Sequence, residues 1–144
     1  MSSKNILKLM KDKEIEFVDF RFTDPRGKLQ HLTMDATIVD DEMLEEGVFF
    51  DGSSIAGWKA INESDMILKP DLARPIVDPF NSHNTLNIFC DILDAVKKES
   101  YERDPRGTAK KAENYLKKSG VGDKAYFGPE PEFFTFDDVR FKIK

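Results

Sequence analysis

The sequence is poor in the features that announce most specialised protein classes. Of its 144 residues only one is a cysteine, Cys90. That excludes a disulfide framework and a thiolate metal cluster. No run approaches the ~18 consecutive apolar residues of a membrane span. The first ten residues are interrupted by Lys4 and Lys8 and hold no apolar core of a signal peptide. There is no excess of positive charge. Lys and Arg number 22 against 27 Asp and Glu, a net charge of −5, which does not suit general phosphate-backbone binding. No repeat or low-complexity stretch is visible. The two histidines, His31 and His83, stand far apart without ligand spacing, as satisfied or solvated side chains do. Cytoplasm, with neither membrane nor nucleic acid as partner, is the expected setting.

What is present is ordinary globular material: 40% hydrophobic and 34% charged residues, with 12 Phe. Disordered chains carry far fewer apolar residues. The length allows one domain, or a small domain and part of another, and a chain of this size buries about 68–70% of its unfolded surface.

Ser2 and Ser3 before Asn5–Lys13 predict a short capped helix, with Ile6, Leu7 and Met10 on one face. From Glu16 the period becomes two. Val18, Phe20 and Phe22 point one way and Asp19, Arg21 and Thr23 the other, the pattern of a half-buried strand. Asp24-Pro25-Arg26-Gly27 carries a type I turn signal, so Lys28–Asp35 returns as the second strand of a hairpin. Asp40–Glu46 is a candidate acidic helix stopped by Gly47. Val48–Trp58 reads as a loop with little regular structure, rich in small residues beside large apolar ones, as site-bearing loops are. Met66–Lys69 and Arg74–Val77 predict short strands. Thr85–Leu93 is the clearest strand, with Leu86, Ile88, Cys90 and Ile92 on one face, so Cys90 reads as a buried structural residue. This makes an α+β unit of one clear helix and about five strands.

Asp104 with Pro105 predicts the start of a second helix. It runs to about Lys118, with Ala109, Ala112 and Leu116 as an inner stripe, a Glu113–Lys117 pair and a stop at Ser119-Gly120. A last strand is expected over Ala125–Phe136. The boundary falls near Glu102–Arg103, giving units 1–102 and 103–144. The second unit holds too few elements for a core of its own, so its strand is expected to be poorly ordered in isolation, with Phe133, Phe134 and Phe136 uncovered.

Two segments could carry chemistry. In Gly128-Pro129-Glu130-Pro131-Glu132-Phe133-Phe134, residues two apart on a strand share a face, with Cα atoms ~6.5–7 Å apart. A pair of glutamates there is either a solvated acidic edge or, beside the phenylalanines, a cavity wall whose hard oxygen donors suit Mg²⁺ or Mn²⁺. In Phe50-Asp51-Gly52-Ser53-Ser54, a carboxylate and two hydroxyls form either an Asx-type turn in which Asp51 caps its own backbone or a functional loop. Gly52–Lys59 has two spaced glycines but lacks the Gly-Lys-Ser/Thr of a phosphate-binding P-loop. Asn62-Glu63-Ser64 matches a glycosylation sequon, which carries no meaning without a secretory signal.

Taken together, these residues become familiar. The run from Phe50 through Asp51-Gly52-Ser53-Ser54 to Leu68 closely resembles the amino-terminal signature of glutamine synthetases of the bacterial class I type. Phe127–Asp138 resembles that family's first metal-binding strand. Phe22–Lys28 and Tyr101–Gly107 fit in the same order, so the resemblance spans essentially the whole chain. It implies a β-grasp-like amino-terminal domain followed by the start of a catalytic domain. It also implies a ligase of glutamine biosynthesis and nitrogen metabolism that uses ATP to join ammonia to the γ-carboxylate of glutamate. By the same resemblance, Glu132 helps hold the divalent ion near glutamate and Glu130 the ion near the ATP phosphates. Asp51 is the ammonium-binding carboxylate, with Ser54 beside it. The family further implies two Mg²⁺ or Mn²⁺ ions per complete site and a homo-oligomer of stacked rings in which the Asp51 loop reaches a neighbouring subunit. Family chains are several times longer, so this chain alone is expected to be inactive. Other readings are a ligase that joins a different amine to glutamate, or a non-catalytic β-grasp module that joins a longer enzyme's ring.

Overall fold

In the computed structural model, which describes residues 1–55, 57 and 64–143, the alternating segments meet in one mixed sheet. Helix α1 (Ser3–Asp12) starts where the sequence places its cap, with Ser2 Oγ accepting from the Asn5 amide at 3.3 Å. Strands β1 (Phe17–Thr23) and β2 (Leu29–Asp35) form the antiparallel hairpin. Its turn is tied by Asp24 Oδ1, which accepts from the amides of Arg26 and Lys28 at 2.9 Å each. Helix α2 (Asp41–Glu46) is capped by Asp40 and ends at Gly47, whose φ is +98°. A Cβ at Gly47 would also lie 2.6 Å from the Leu68 carbonyl oxygen, so two constraints demand glycine there.

Strands β3 (Val48–Asp51), β4 (Asp65–Pro70), β5 (Ile76–Val77) and β6 (Thr85–Asp94) complete the sheet. The order is β2-β1-β6-β4-β3, with β5 also on β6. Among the described strands only β1 and β6 pair in parallel, Phe17 opposite Thr85 and Phe20 opposite Ile88. Parallel neighbours need a long crossover, and everything between β1 and β6 supplies it. Six strands stand among the described residues where about five were expected. The addition is β3, which the loop reading of Val48–Trp58 missed. Four residues with two adjacent phenylalanines show no period of their own, and pairing with β4 makes them a strand. Trp58, Lys59 and the Asn62-Glu63 part of the sequon lie outside the described residues.

Ile6 and Met10 of α1 and Leu44 of α2 close over Val18, Phe20, Met66, Leu68, Leu86, Ile88 and Ile92. Each large side chain so buried contributes up to about 1.5–3 kcal/mol. Cys90 lies in this core, and burial pushes its thiol pKa up. It is the inert, structural cysteine that its place on β6 foretold.

The opposite sheet face departs from the half-buried reading of β1. Asp19 points away from the core, yet is 4% exposed. Arg21 Nε donates to its Oδ2 at 2.7 Å, while Thr33 Oγ1 and His31 Nδ1 meet its Oδ1 at 2.7 Å each. Arg21 also reaches Asp78 at 3.2 Å. A charged residue survives burial here because Arg21, Thr33 and His31 all direct donors at it.

Helix α3 (Pro105–Ser119) begins as expected, with Asp104 Oδ1 accepting from the Arg106 amide at 3.0 Å. The other oxygen of Asp104, itself 1% exposed, accepts from the Ile92 amide of β6 at 3.1 Å. Arg106 adds a 2.8 Å bond to Asp91 and an ion pair with Asp71, and Lys110 pairs with Asp91. The expected stripe is not an inner one, since Ala109 and Ala112 are exposed and only Leu116 is half-buried.

Two compact units divide the chain, Met1–Ala112 and Glu113–Lys144. In the second, Lys117 Nζ donates to Glu113 at 2.7 Å, as the spacing implies, and Gly120 at φ +72° follows the helix end. The strand expected over Ala125–Phe136 is not formed, and Phe133 and Phe134 are exposed. A strand is defined by its ladder, and among the described residues none pairs with this segment.

Candidate functional site

Asp51 closes strand β3 and opens a short 3-10 turn over Gly52–Ser54. Its Oδ1 accepts from the Ser53 amide at 2.8 Å and from Ser53 Oγ at 2.6 Å. Ser54 Oγ stands 3.5 Å from Oδ2, the outer limit of a hydrogen bond. The Ser53 hydroxyl, then the Ser53 amide, hold the Asp51 carboxyl below its usual range, with smaller help from Ser64 and Ser54. The carboxylate is exposed. It is therefore both the capping Asx-type turn and a presented anion, so the two readings of this segment describe one geometry.

Gly52 fixes where that anion sits. Its amide donates to the Ser64 carbonyl at 2.7 Å. A Cβ there would lie 2.4 Å from Met66 Sδ and 3.0 Å from the Ser64 oxygen. Because Met66 is fully buried, the turn is pressed onto the core and only glycine allows the approach. At the far end of the loop, Arg103 Nη1 donates to the Gly57 carbonyl at 2.8 Å.

Of the four expected site residues, the structure brings Asp51 and Ser54 together on one turn. Glu130 and Glu132 lie in the other unit, in a stretch without helix or strand, and both are exposed. Phe133 and Phe134, expected to wall a cavity, are exposed for the same reason that the strand is not formed. As hard oxygen donors the two glutamates suit a divalent cation, but they are two ligands where such an ion takes six or more. Among the described residues no group of three or more potential ligands stands together.

The residue that sequence reasoning passed over is Ser53. Its signal was present, since a serine two positions after an aspartate is the spacing of an Asx turn, but the family resemblance drew attention to Ser54. A second polar cluster, away from this turn, gathers Asp19, Arg21, His31, Thr33 and His83 around a shallow cleft of about 340 Å³. There His31 is held by Asp19, and His83 Nδ1 lies 3.1 Å from Glu16. Both histidines are thus satisfied ones, as their isolation in sequence implied.

Known proteins match this chain along its length. Residues 14–95 match the model of the glutamine synthetase β-grasp domain, and residues 102–144 that of the glutamine synthetase catalytic domain. A glutamine synthetase of Rhizobium meliloti is 61% identical over 98% of this chain and 30% of its own length. One of Escherichia coli K12 is 54% identical over 98% of this chain, again 30% of its own. A cryo-EM structure of Plasmodium falciparum glutamine synthetase superposes with a TM-score of 0.74 at 27% identity, covering 83% of this chain and 23% of that one. The chain thus spans about 30% of the curated relatives it matches. With both domain models matched in order and a β-grasp sheet beneath them, the chain belongs to the glutamine synthetase family, in its bacterial class I branch.

Proposed function

We propose that this chain supplies the amino-terminal part of an ATP-dependent ligase that joins ammonia to the γ-carboxylate of glutamate, and that it is inactive without the remaining catalytic domain. The observation that carries the reading is the Asp51 turn. An exposed carboxylate at a strand end, pressed into one place by Gly52 and kept ionised by Ser53, is what capture of a small cation requires.

The chemistry assigns each part a task. An oxygen of the glutamate γ-carboxylate attacks the γ-phosphorus of ATP, giving γ-glutamyl phosphate and ADP. Ammonia then attacks the acyl carbon, and phosphate leaves with the bonding electrons of the C–O bond. Ammonium has no lone pair, so it must lose a proton first. Asp51 both attracts the cation and accepts that proton, which is general-base catalysis. A depressed pKa keeps the carboxylate charged for the first of these tasks.

Glu130 and Glu132 are the residues that would hold Mg²⁺ or Mn²⁺ beside the glutamate and nucleotide sites, completed by ligands from elsewhere in the enzyme. A divalent cation there supplies positive charge that offsets the meeting of two anions. A homo-oligomer in which the Asp51 turn serves a neighbouring subunit, in the cytoplasm, completes the proposal.

The test is glutamate- and ammonia-dependent ADP release. The full-length ligase should show it, the 144-residue chain should not, and Asp51→Asn in the full-length ligase should suppress the ammonia-dependent step. Activity of the short chain, or preference for a small polyamine over ammonia, would overturn the corresponding part.

A further inference from the structure

We infer that Ser53, rather than Ser54, is the residue that positions Asp51: its hydroxyl and amide fix Oδ1 so that Oδ2 alone is presented to the ammonium ion. The inference rests on the proposed role of Asp51 and adds a positioning residue to it.

The argument begins with the symmetry of a carboxylate. The last torsion of an aspartate is broad and nearly two-fold, so a free Asp51 would offer either oxygen in many directions. Ser53 removes that equivalence. Two donors of one residue converge on Oδ1, at 2.8 and 2.6 Å. Both come from a turn whose preceding residue, Gly52, is pinned to Ser64 and has no room for a Cβ. The carboxylate plane is thereby set by backbone held against the core. Ser54, by contrast, meets Oδ2 only at 3.5 Å. A contact so long neither orients the carboxylate nor saturates the oxygen, and the Ser64 hydroxyl, which also helps keep the carboxyl charged, contributes less than Ser53 does.

Fixing one oxygen has two consequences for catalysis. The proton acceptor is held in a single direction, so less ordering is needed when ammonium arrives. Donation to the ionised form also keeps the carboxyl charged to lower pH, and the Ser53 hydroxyl is the largest contributor. The charged groups facing Asp51 are few among the described residues. Asp65 of β4 lies opposite it in the β3–β4 register, and Arg103 donates to the Gly57 carbonyl of the loop. Loss of the Ser53 hydroxyl therefore lets the Asp51 pKa rise, and the acid limb of the ammonium-dependent rate moves to higher pH.

The experiment uses the full-length ligase carrying Ser53→Ala, Ser53→Thr or Asp51→Asn. The readouts are kcat, KM for ammonium, and kcat/KM for ammonium against pH, each normalised to the parent at the same pH so that titration of ammonium itself cancels. Ser53→Ala should raise KM for ammonium by up to about tenfold, the scale of one ordinary solvent-exposed hydrogen bond. It should lower kcat less and shift the acid limb upward. Ser53→Thr, which keeps the hydroxyl, should restore both. An unchanged limb and KM in Ser53→Ala, with Asp51→Asn inactive, would refute the positioning role while leaving Asp51 in place. If Ser53→Thr behaves as Ser53→Ala, the hydroxyl is not the cause and the inference falls. If Asp51→Asn uses ammonium normally, the role of the turn falls and this inference with it.

Discussion

Asp104 offers the sharpest test of the physical reasoning, because one side chain performs two separable tasks. Its Oδ1 caps helix α3 through the Arg106 amide, and its Oδ2 satisfies the Ile92 amide of a central strand, with the residue 1% exposed. In Asp104→Ala both acceptors vanish. The Ile92 N–H, buried and unpaired, costs about 1–3 kcal/mol. Loss of the cap costs about 1 kcal/mol more. A total of about 2–4 kcal/mol is a large share of the 5–15 kcal/mol, roughly, that holds a domain folded. It corresponds to a fall in Tm of about 4 °C or more. Asp104→Asn has one acceptor and must turn its amide NH₂ toward one of the two N–H groups, so it should recover no more than about half of the loss. Urea unfolding followed by far-UV circular dichroism measures both variants. Values for Asp104→Ala within about 0.5 kcal/mol of the parent, the range of an ordinary surface substitution, would refute the claim that this carboxylate joins helix to sheet.

Three further outcomes are expected. Gly52→Ala should destabilise the chain by about 1–3 kcal/mol, the cost of overpacking, because its Cβ meets Met66 Sδ at 2.4 Å; an unchanged denaturation midpoint would contradict that. Cys90 should resist thiol labelling in the native chain and react on unfolding, as its burial and raised pKa require, which intact mass after alkylation reads directly. Burial tends to raise the Asp19 pKa, but the hydrogen bonds of Thr33, Arg21 and His31 outweigh it and leave it below the ordinary 3.8. A depressed folded-state pKa means stability that is present above the ordinary value and lost as pH falls through the folded one. Asp19→Asn should therefore flatten the acid limb of stability against pH, and an identical slope in the two proteins would argue against the cluster.

Most of the amino-terminal unit was legible in the sequence because local signals and tertiary packing agree there. Ser2 and Asp40 cap the helices they precede, Asp24 ties the turn its Pro25 and Gly27 announce, and β6 buries the four residues its alternation selects. Strand β3 was not legible, since Val48–Asp51 becomes a strand only through β4. The alternation of β1 places Asp19 on its outer face, as observed, but gives no sign that this face is covered there. Its cover comes from donors 12 and 14 residues away and from the next alternate residue, Arg21. The segment over Ala125–Phe136 failed for the opposite reason, because its period is strand-like but a period cannot supply a partner. In the site, Asp51 and the Asx-type turn at Ser53 were visible in the sequence, but the grip of the Ser53 hydroxyl on one oxygen only through geometry. The motif names residue types, whereas the 2.6 Å hydroxyl contact depends on how the turn is pressed against Met66.

The parallel pairing of β1 with β6 governs how the chain can reach its fold. Glu16, just before β1, bonds to Asn84, just before β6, across 68 residues of sequence. During synthesis β1 leaves the ribosome long before its central partner exists. At about 5–20 residues per second, that interval is roughly 3–14 s. Until β6 emerges, the sheet can exist only as the separate hairpins β1–β2 and β3–β4. Long-range closure of this kind slows folding, and it makes the last-made strand of the sheet the one that unites the earlier pieces. A chain stopped before Thr85 would leave those hairpins as aggregation-prone halves, whereas one that reaches Asp104 carries both the uniting strand and the carboxylate that satisfies its Ile92 amide.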